Sequence, residues 1–228
     1  MGGATTKTRP LYAMLVVMYL PSGTTAFSQA EKLITAEWVP FVAKLVRTSE
    51  TDVITRRYTV SISGIYVRDK QGSWYRRSTA KVIHGDLPLA GALDTAYLYE
   101  RADNKLYLID YTRKTIQASQ VKDTDQALLG GNPMSQQTFE QYHSQDRFLG
   151  KQTISGVDCE GYAIHDPRHK GKYVAEVWYA PSLNYLAVET KSRYQGDQWV
   201  TARVEGIQVG KEPDPQYLRL PQGFKMIK

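Results

Sequence analysis

The chain has 228 residues, 42% hydrophobic and 11% aromatic, enough to bury a full core in one domain without a disulfide or metal to staple it. Its formal net charge of +6, from 29 basic and 23 acidic residues, is an ordinary solubility charge, and the pairs Arg56-Arg57, Arg76-Arg77 and Arg113-Lys114 are scattered rather than gathered into a stripe, which argues against nucleic acid as a partner. A single cysteine, Cys159, excludes an internal disulfide.

In chain order, Lys7 and Arg9 are the only charges before Glu31, and they precede the apolar run Leu11–Leu20. Small-residue sites follow at Pro21–Ala26 and Ser28-Gln29-Ala30. This order predicts a secretory signal peptide over residues 1–30, cleaved after Ala26 or Ala30. The apolar run is about half the roughly 20 residues that a spanning helix needs, so no stable membrane span is expected after cleavage. Cleavage after Ala30 leaves 27 basic and 23 acidic residues, a net charge of +4. No cysteine directly follows the run to take a lipid anchor, and no Asn-x-Ser/Thr site occurs. The expectation is an exported, soluble protein, periplasmic or secreted.

Glu31–Trp38 reads as a short helix that Pro40 breaks. From Phe41 the period changes to two: Phe41, Ala43 and Leu45 share one side, as do Tyr58, Val60 and Ile62 within Arg57–Ser63. Asp69-Lys70-Gln71-Gly72 reads as a hairpin turn between Ile65–Arg68 and Ser73–Arg76, with the glycine in the left-handed position. A second hairpin joins Ala96–Arg101 to Lys105–Asp110, and Thr115–Val121 adds a third strand after a polar turn. Asp123–Gln145 interrupts this rhythm with Gly130-Gly131-Asn132-Pro133 and a short helix over Met134–Tyr142, a candidate lid. Strands resume at Phe148–Ile154, Val157–His165, Tyr173–Ala180, Tyr185–Tyr194 and Gln198–Val209, with connections short enough to make them antiparallel neighbours. Pro213-Asp214-Pro215 and Leu220–Phe224 form a tail that proline bars from a central strand.

Catalytic signals are weak along the whole chain. His165 and His169 are four apart, but Pro167 and Gly171 make their segment a turn rather than the helix that would align them, and Arg168, Lys170 and Lys172 would repel a cation. No metal site is therefore expected. Cys159 and His165 lie six apart on one strand, about 20 Å at roughly 3.3 Å per residue, too far for an ion pair, and a buried, unreactive thiol is expected. Serine elbows and phosphate-binding loops are absent from the sequence. Glu160, Glu176, Glu189 and Glu205 are expected as surface carboxylates salt-bridged across strands. No catalytic residue, cofactor or metal is assigned. The aromatic residues are more suggestive: 16 tyrosines, many on strands, suit the wall of a sheet that holds an amphipathic ligand. Tyr97, Tyr99, Tyr107, Trp178, Tyr185 and Trp199 are the candidate ligand-binding residues.

Gly156-Val157-Asp158-Cys159-Glu160-Gly161-Tyr162, followed by Glu176–Pro181, Leu186-Ala187-Val188-Glu189 and the closing Pro213–Phe224, resembles the outer-membrane lipoprotein-sorting (LolA/LolB-like) superfamily. Pro40-Phe41-Val42-Ala43 through Tyr66–Ser73 is similar to uncharacterised exported bacterial proteins of the same layout. The resemblance implies a mainly β fold: one strongly curved antiparallel sheet, a half-barrel with a short helix or loop over its concave face, forming a single domain over residues 31–228. It also implies an apolar cavity that accepts acyl chains, and it carries no individual ligand contact over to this chain. The function expected is non-enzymatic binding of a lipid or lipoprotein acyl chain. Envelope sensing or recognition of a protein partner through a sheet edge or face is one alternative, and a hydrolase is the other.

Overall fold

Period-two segments rich in Val, Ile, Thr and Tyr become strands in the computed structural model, which describes residues 38–53, 56–84, 93–121, 136–165, 173–193 and 199–227. Of these, residues 47–53, 56–60, 82–84, 93, 137–138, 165, 173–174, 193 and 199–200 are described by backbone alone. The leader Leu11–Leu20, the segment Glu31–Ala36, Gly130–Pro133 and His169 lie outside the described residues.

Six strands form a first meander: β1 (Phe41–Val53), β2 (Arg56–Arg68), β3 (Trp74–His84), β4 (Leu93–Glu100), β5 (Lys105–Asp110) and β6 (Thr115–Gln120). Five more form a second: β7 (Arg147–Ile154), β8 (Val157–His165), β9 (Tyr173–Ala180), β10 (Leu186–Arg193) and β11 (Trp199–Val209). β11 pairs antiparallel with β1, fusing both meanders into one sheet. A short β12 (Lys225–Ile227) adds in parallel to β6. The order β12-β6-β5-β4-β3-β2-β1-β11-β10-β9-β8-β7 leaves β12 and β7 as edges, so the sheet is open, as expected of a mainly β half-barrel. The parallel last pair departs from the wholly antiparallel expectation. Proline keeps the tail out of the sheet until Lys225, where only an edge remains to be joined.

Arg68 shows which way the sheet bends. Its register partner is Phe41, so both side chains stand on one side of the sheet. From there Arg68 Nη2 donates to the Leu183 carbonyl at 3.0 Å and to Asn184 Oδ1 at 2.9 Å, while Nε and Nη2 donate to the Val39 carbonyl at 3.1 and 2.8 Å. In a flat sheet β2 and the β9–β10 turn would be three strand spacings apart, about 14 Å. One guanidinium bridges them, so the sheet curves around this side, the inner face. The same face carries one continuous core drawn from both meanders, including Phe41, Tyr66, Trp74 and Tyr99 with Val157, Cys159, Leu183 and Val188.

The turn Asp69–Gly72 forms as expected. Gly72 has φ +88, and Asp69 Oδ1 accepts the Ser73 N–H at 2.8 Å. The glycine is needed twice over, because a Cβ there would come within 2.4 Å of the Trp38 ring. Arg68 and Arg101 both lie over that ring, at 5.3 and 4.8 Å from its centre.

The opposite, outer face is covered in two places by the chain itself. Val67, Tyr75, Leu98, Tyr107, Ile109 and Ile116 form a second core, and the tail residues Tyr217, Leu218, Leu220 and Phe224 pack onto it. A helix, α1 (Gln136–Tyr142), covers the other place. Its Phe139 is only 1% exposed, stacked on Tyr185 at 4.0 Å and edge-on to Tyr179 and Tyr162 at 4.9 and 5.2 Å. Gly161 and Trp178 are register partners, and Trp178 packs on the inner core, so their strand neighbours Tyr162 and Tyr179 point outward. The helix therefore lies on the outer face rather than over the concavity where it was expected. The tyrosine patch explains its position, since only a cover on that side can dry it. Residues 122–135, the rest of the expected lid, lie outside the described residues. Among the described residues, no helix is long and apolar enough to cross a membrane.

Candidate functional site

The inner face is built from alternate residues of the central strands. On β3 these include Trp74 and Arg76; on β4, Tyr97 and Tyr99. The pairs Arg76↔Tyr97 and Trp74↔Tyr99 set them side by side. Trp74 meets Tyr66 edge-on at 6.1 Å and lies tilted beside Tyr99 at 6.0 Å. The Tyr99 hydroxyl donates to Asn104 Oδ1 at 2.8 Å, and Asn104 Nδ2 donates to the Val121 carbonyl at 2.7 Å, which ties the β4–β5 turn to the end of β6. Burial raises the phenol pKa values of Tyr66 and Tyr97, and the nearby Arg76 guanidinium pulls both partly back. The wall is therefore apolar and aromatic, with the Arg76 guanidinium beside Tyr66 and Tyr97. Around the buried core, Val39, Leu45, Tyr97, Leu106, Trp178 and Ile207 pack on the same side yet are only partly buried.

One end of this face is closed by the Arg68 clamp. The guanidinium is 1% exposed, and burial pulls its pKa down to about 10, with Tyr66 and Asp69 opposing the fall. It stays charged at neutral pH because three acceptor groups and two aromatic rings surround it. Asn184, in the left-handed conformation at φ 57, supplies one acceptor and also receives the Val39 N–H at 3.1 Å.

On the far wall, Trp178 stands opposite Gly161, where a Cβ would come within 2.6 Å of its ring. Nearby Glu189, 2% exposed, accepts from Arg203 Nε at 2.6 Å and from Arg203 Nη2, with Lys191 at 3.4 Å. Glu189 is thus a buried carboxylate held by cations, not the surface residue expected. Glu160 does meet the expectation, pairing with Lys151 across β7 and β8 at 2.8 Å.

Of the six aromatic candidates, Tyr97, Tyr99 and Trp178 share the inner face. Tyr107 does not: its register partner is Leu98 of the second core, and its hydroxyl donates to Glu100 at 3.2 Å. Tyr185, held at φ 60, lies outside beneath Phe139. Trp199 is placed by its backbone alone, opposite Arg193. Cys159 is buried and free, and burial pushes its thiol up to about 11. His165 is described by backbone alone. Two features escaped the sequence reading. One is the Arg68 clamp, which only long-range pairing reveals. The other is His143, 2.6 Å from Asp146 through Nδ1 and packed on Phe139 at 4.3 Å, whose short i, i+3 spacing was there to be noticed. Among the described residues, no three His, Cys, Asp or Glu side chains gather to hold a metal.

This geometry is that of an open, curved sheet with an apolar inner face. No family model matches the chain, and no curated protein matches it. Three solved structures are similar to it. LprF from Mycobacterium bovis is 15% identical over 79% of this chain and 90% of that chain, with a TM-score of 0.32. A DUF1329 family protein from Desulfovibrio piger is 10% identical over 81% and 91%, with a TM-score of 0.20. A domain of an outer membrane lipoprotein-sorting protein from Vibrio parahaemolyticus is 10% identical over 79% and 89%, with a TM-score of 0.18. The third bears the description of the lipoprotein-sorting proteins that Gly156–Tyr162 and the closing Pro213–Phe224 resemble in sequence.

Proposed function

We propose that this is an exported, non-enzymatic protein that binds a hydrophobic or amphipathic ligand, a lipid or a lipoprotein acyl chain, on the inner face of its sheet. One observation carries the reading. Six apolar side chains, including Leu45, Tyr97, Leu106 and Trp178, lie on the concave side of the open sheet without being fully buried. Apolar surface left on the concave side of an open sheet is where an apolar ligand gains most from leaving water. Residues 1–30 act as the cleaved leader that delivers the domain.

The test is chemical. Protein purified without detergent after expression of the full chain is extracted with organic solvent, and the extract is analysed by mass spectrometry. A lipid near one equivalent is the expected result. An extract free of lipid, together with an inner face filled by side chains in an experimental structure, overturns the proposal. Recognition of a partner through the tail has less in its favour, because Tyr217, Leu218, Leu220 and Phe224 are already packed on the sheet.

A further inference from the structure

Two buried donors on the inner side go unused. Trp74 Nε1 and Trp178 Nε1 are shut away from solvent, and neither has a hydrogen-bond partner. An indole N–H can only donate, so it needs an acceptor oxygen from somewhere. A buried donor without one carries the full cost of its lost hydration, and proteins seldom leave such a group without a reason. Two nearby oxygens are turned to other partners. The Tyr99 hydroxyl beside Trp74 is hydrogen-bonded to Asn104, and the Glu189 carboxylate opposite Trp178 is held by Arg203.

The two indoles stand on different walls. Trp74 opens β3 in the first meander, and Trp178 lies in β9 of the second, yet both pack on the same core. On the same side of the sheet, Tyr97, Leu106 and Leu45 are apolar and only partly buried. A bare hydrocarbon would satisfy that surface and leave both N–H groups orphaned. A sugar or nucleotide would do the reverse. The combination suits a molecule with an apolar chain and acyl oxygens. Arg76, two residues from Trp74 and opposite Tyr97, adds positive charge on the same side of the sheet.

Resting on the ligand-binding reading above, we propose that Trp74 and Trp178 are its specificity-determining donors: their indole N–H groups hydrogen-bond to the carbonyl or carboxylate oxygens of an acyl ligand and select it over a plain hydrocarbon.

Trp→Phe substitution keeps an aromatic ring and removes the donor, so W74F and W178F isolate the hydrogen bond. Three fluorescent probes are titrated into the full chain: cis-parinaric acid, its methyl ester, and diphenylhexatriene, which has no acceptor oxygen. Each variant is expected to bind the acid and the ester about fivefold or more weakly, with diphenylhexatriene affinity changed less than about twofold. A preference of the unsubstituted protein for the acid over the ester marks the carboxylate as the acceptor, and equal affinity marks the neutral carbonyl. If the variants bind all three probes as the unsubstituted protein does, or lose all three equally, the donor role falls and the ligand-binding reading stands. If the unsubstituted protein binds no probe, both fall. Nitrogen-15 spectra of the unsubstituted protein give a readout free of folding effects. The Trp74 and Trp178 indole N–H signals should move downfield on adding the fatty acid and stay in place with diphenylhexatriene. Signals already downfield and unmoved by the acid would mean that an internal water is the acceptor, and would overturn the proposal.

Discussion

The two faces of this sheet are finished differently. On the outer face the chain completes its own core: Tyr217 stacks on Tyr75 at 5.8 Å, Phe224 meets Tyr111 edge-on at 5.3 Å, and the Tyr75 and Tyr111 hydroxyls bond each other at 2.9 Å. Arg77, behind Tyr111, is paired with Asp94 at 2.6 Å. On the inner face the core is equally aromatic, but two indole donors lack acceptors. Among the described residues, these two indoles are the buried side-chain donors that packing leaves unmet, and both belong to the inner face.

Breaking the inner face at its clamp should have the largest effect. Arg68→Met keeps much of the side-chain volume but leaves the Val39 and Leu183 carbonyls and Asn184 Oδ1 without their shared donor. A loss on the order of 3 kcal/mol is expected, read as a lower urea midpoint at unchanged slope. Arg68→Lys should recover only part of this, because an ammonium cannot reproduce the planar fork that reaches both sides. If Arg68→Met is as stable as the unsubstituted chain, Arg68 does not hold the two meanders together, and the closure of the inner face rests on its apolar core alone.

On the outer face, Tyr217→Ala removes the ring that covers Tyr75. The expected cost is about 2 kcal/mol, from the apolar area and the stack. Probe uptake by the folded variant should be unaltered. A Tyr217→Ala protein that folds normally but no longer takes up lipid would move the ligand to the tail side and reverse the comparison.

Local chemistry made much of this fold legible. The Asp69–Gly72 turn, β5 and β8 fall where turn residues and period two put them, because both signals act within a few residues. What could not be read locally is what joins distant segments. The β1–β11 and β6–β12 pairings carry no local mark, and the Arg68 clamp depends on the first of them. Tyr107 is an instructive intermediate. Tyr97, Tyr99 and Tyr107 look alike in the sequence, but the hairpin pairs Glu100 with Lys105, which sets Tyr99 against Leu106 and sends Tyr107 to the other face. A register worked out from that turn would have separated them. The donors at Trp74 and Trp178 were beyond any such reading, since a donor is orphaned only by the absence of acceptors that the whole fold arranges.

The smallest expected effect concerns Cys159, which lies in the inner core with 1% exposure. Burial raises its thiol from 9.0 to about 11. Between those values the unfolded thiol ionises and the folded one does not, so its contribution to stability is complete below pH 9.0 and is lost as pH rises toward 11. At pH 8 the folded thiol should carry about a hundredfold less thiolate than the unfolded one. Iodoacetamide at that pH should leave the native protein unmodified for as long as it stays folded and should label it rapidly in urea, as followed by intact mass. Lipid loading should change neither rate in kind, because the thiol's protection comes from core packing against Val157 and Val188 rather than from an occupant. If the empty protein is labelled and the loaded protein is not, the ligand itself covers Cys159, and the ligand-bearing surface extends from the aromatic wall down to the floor formed by β8.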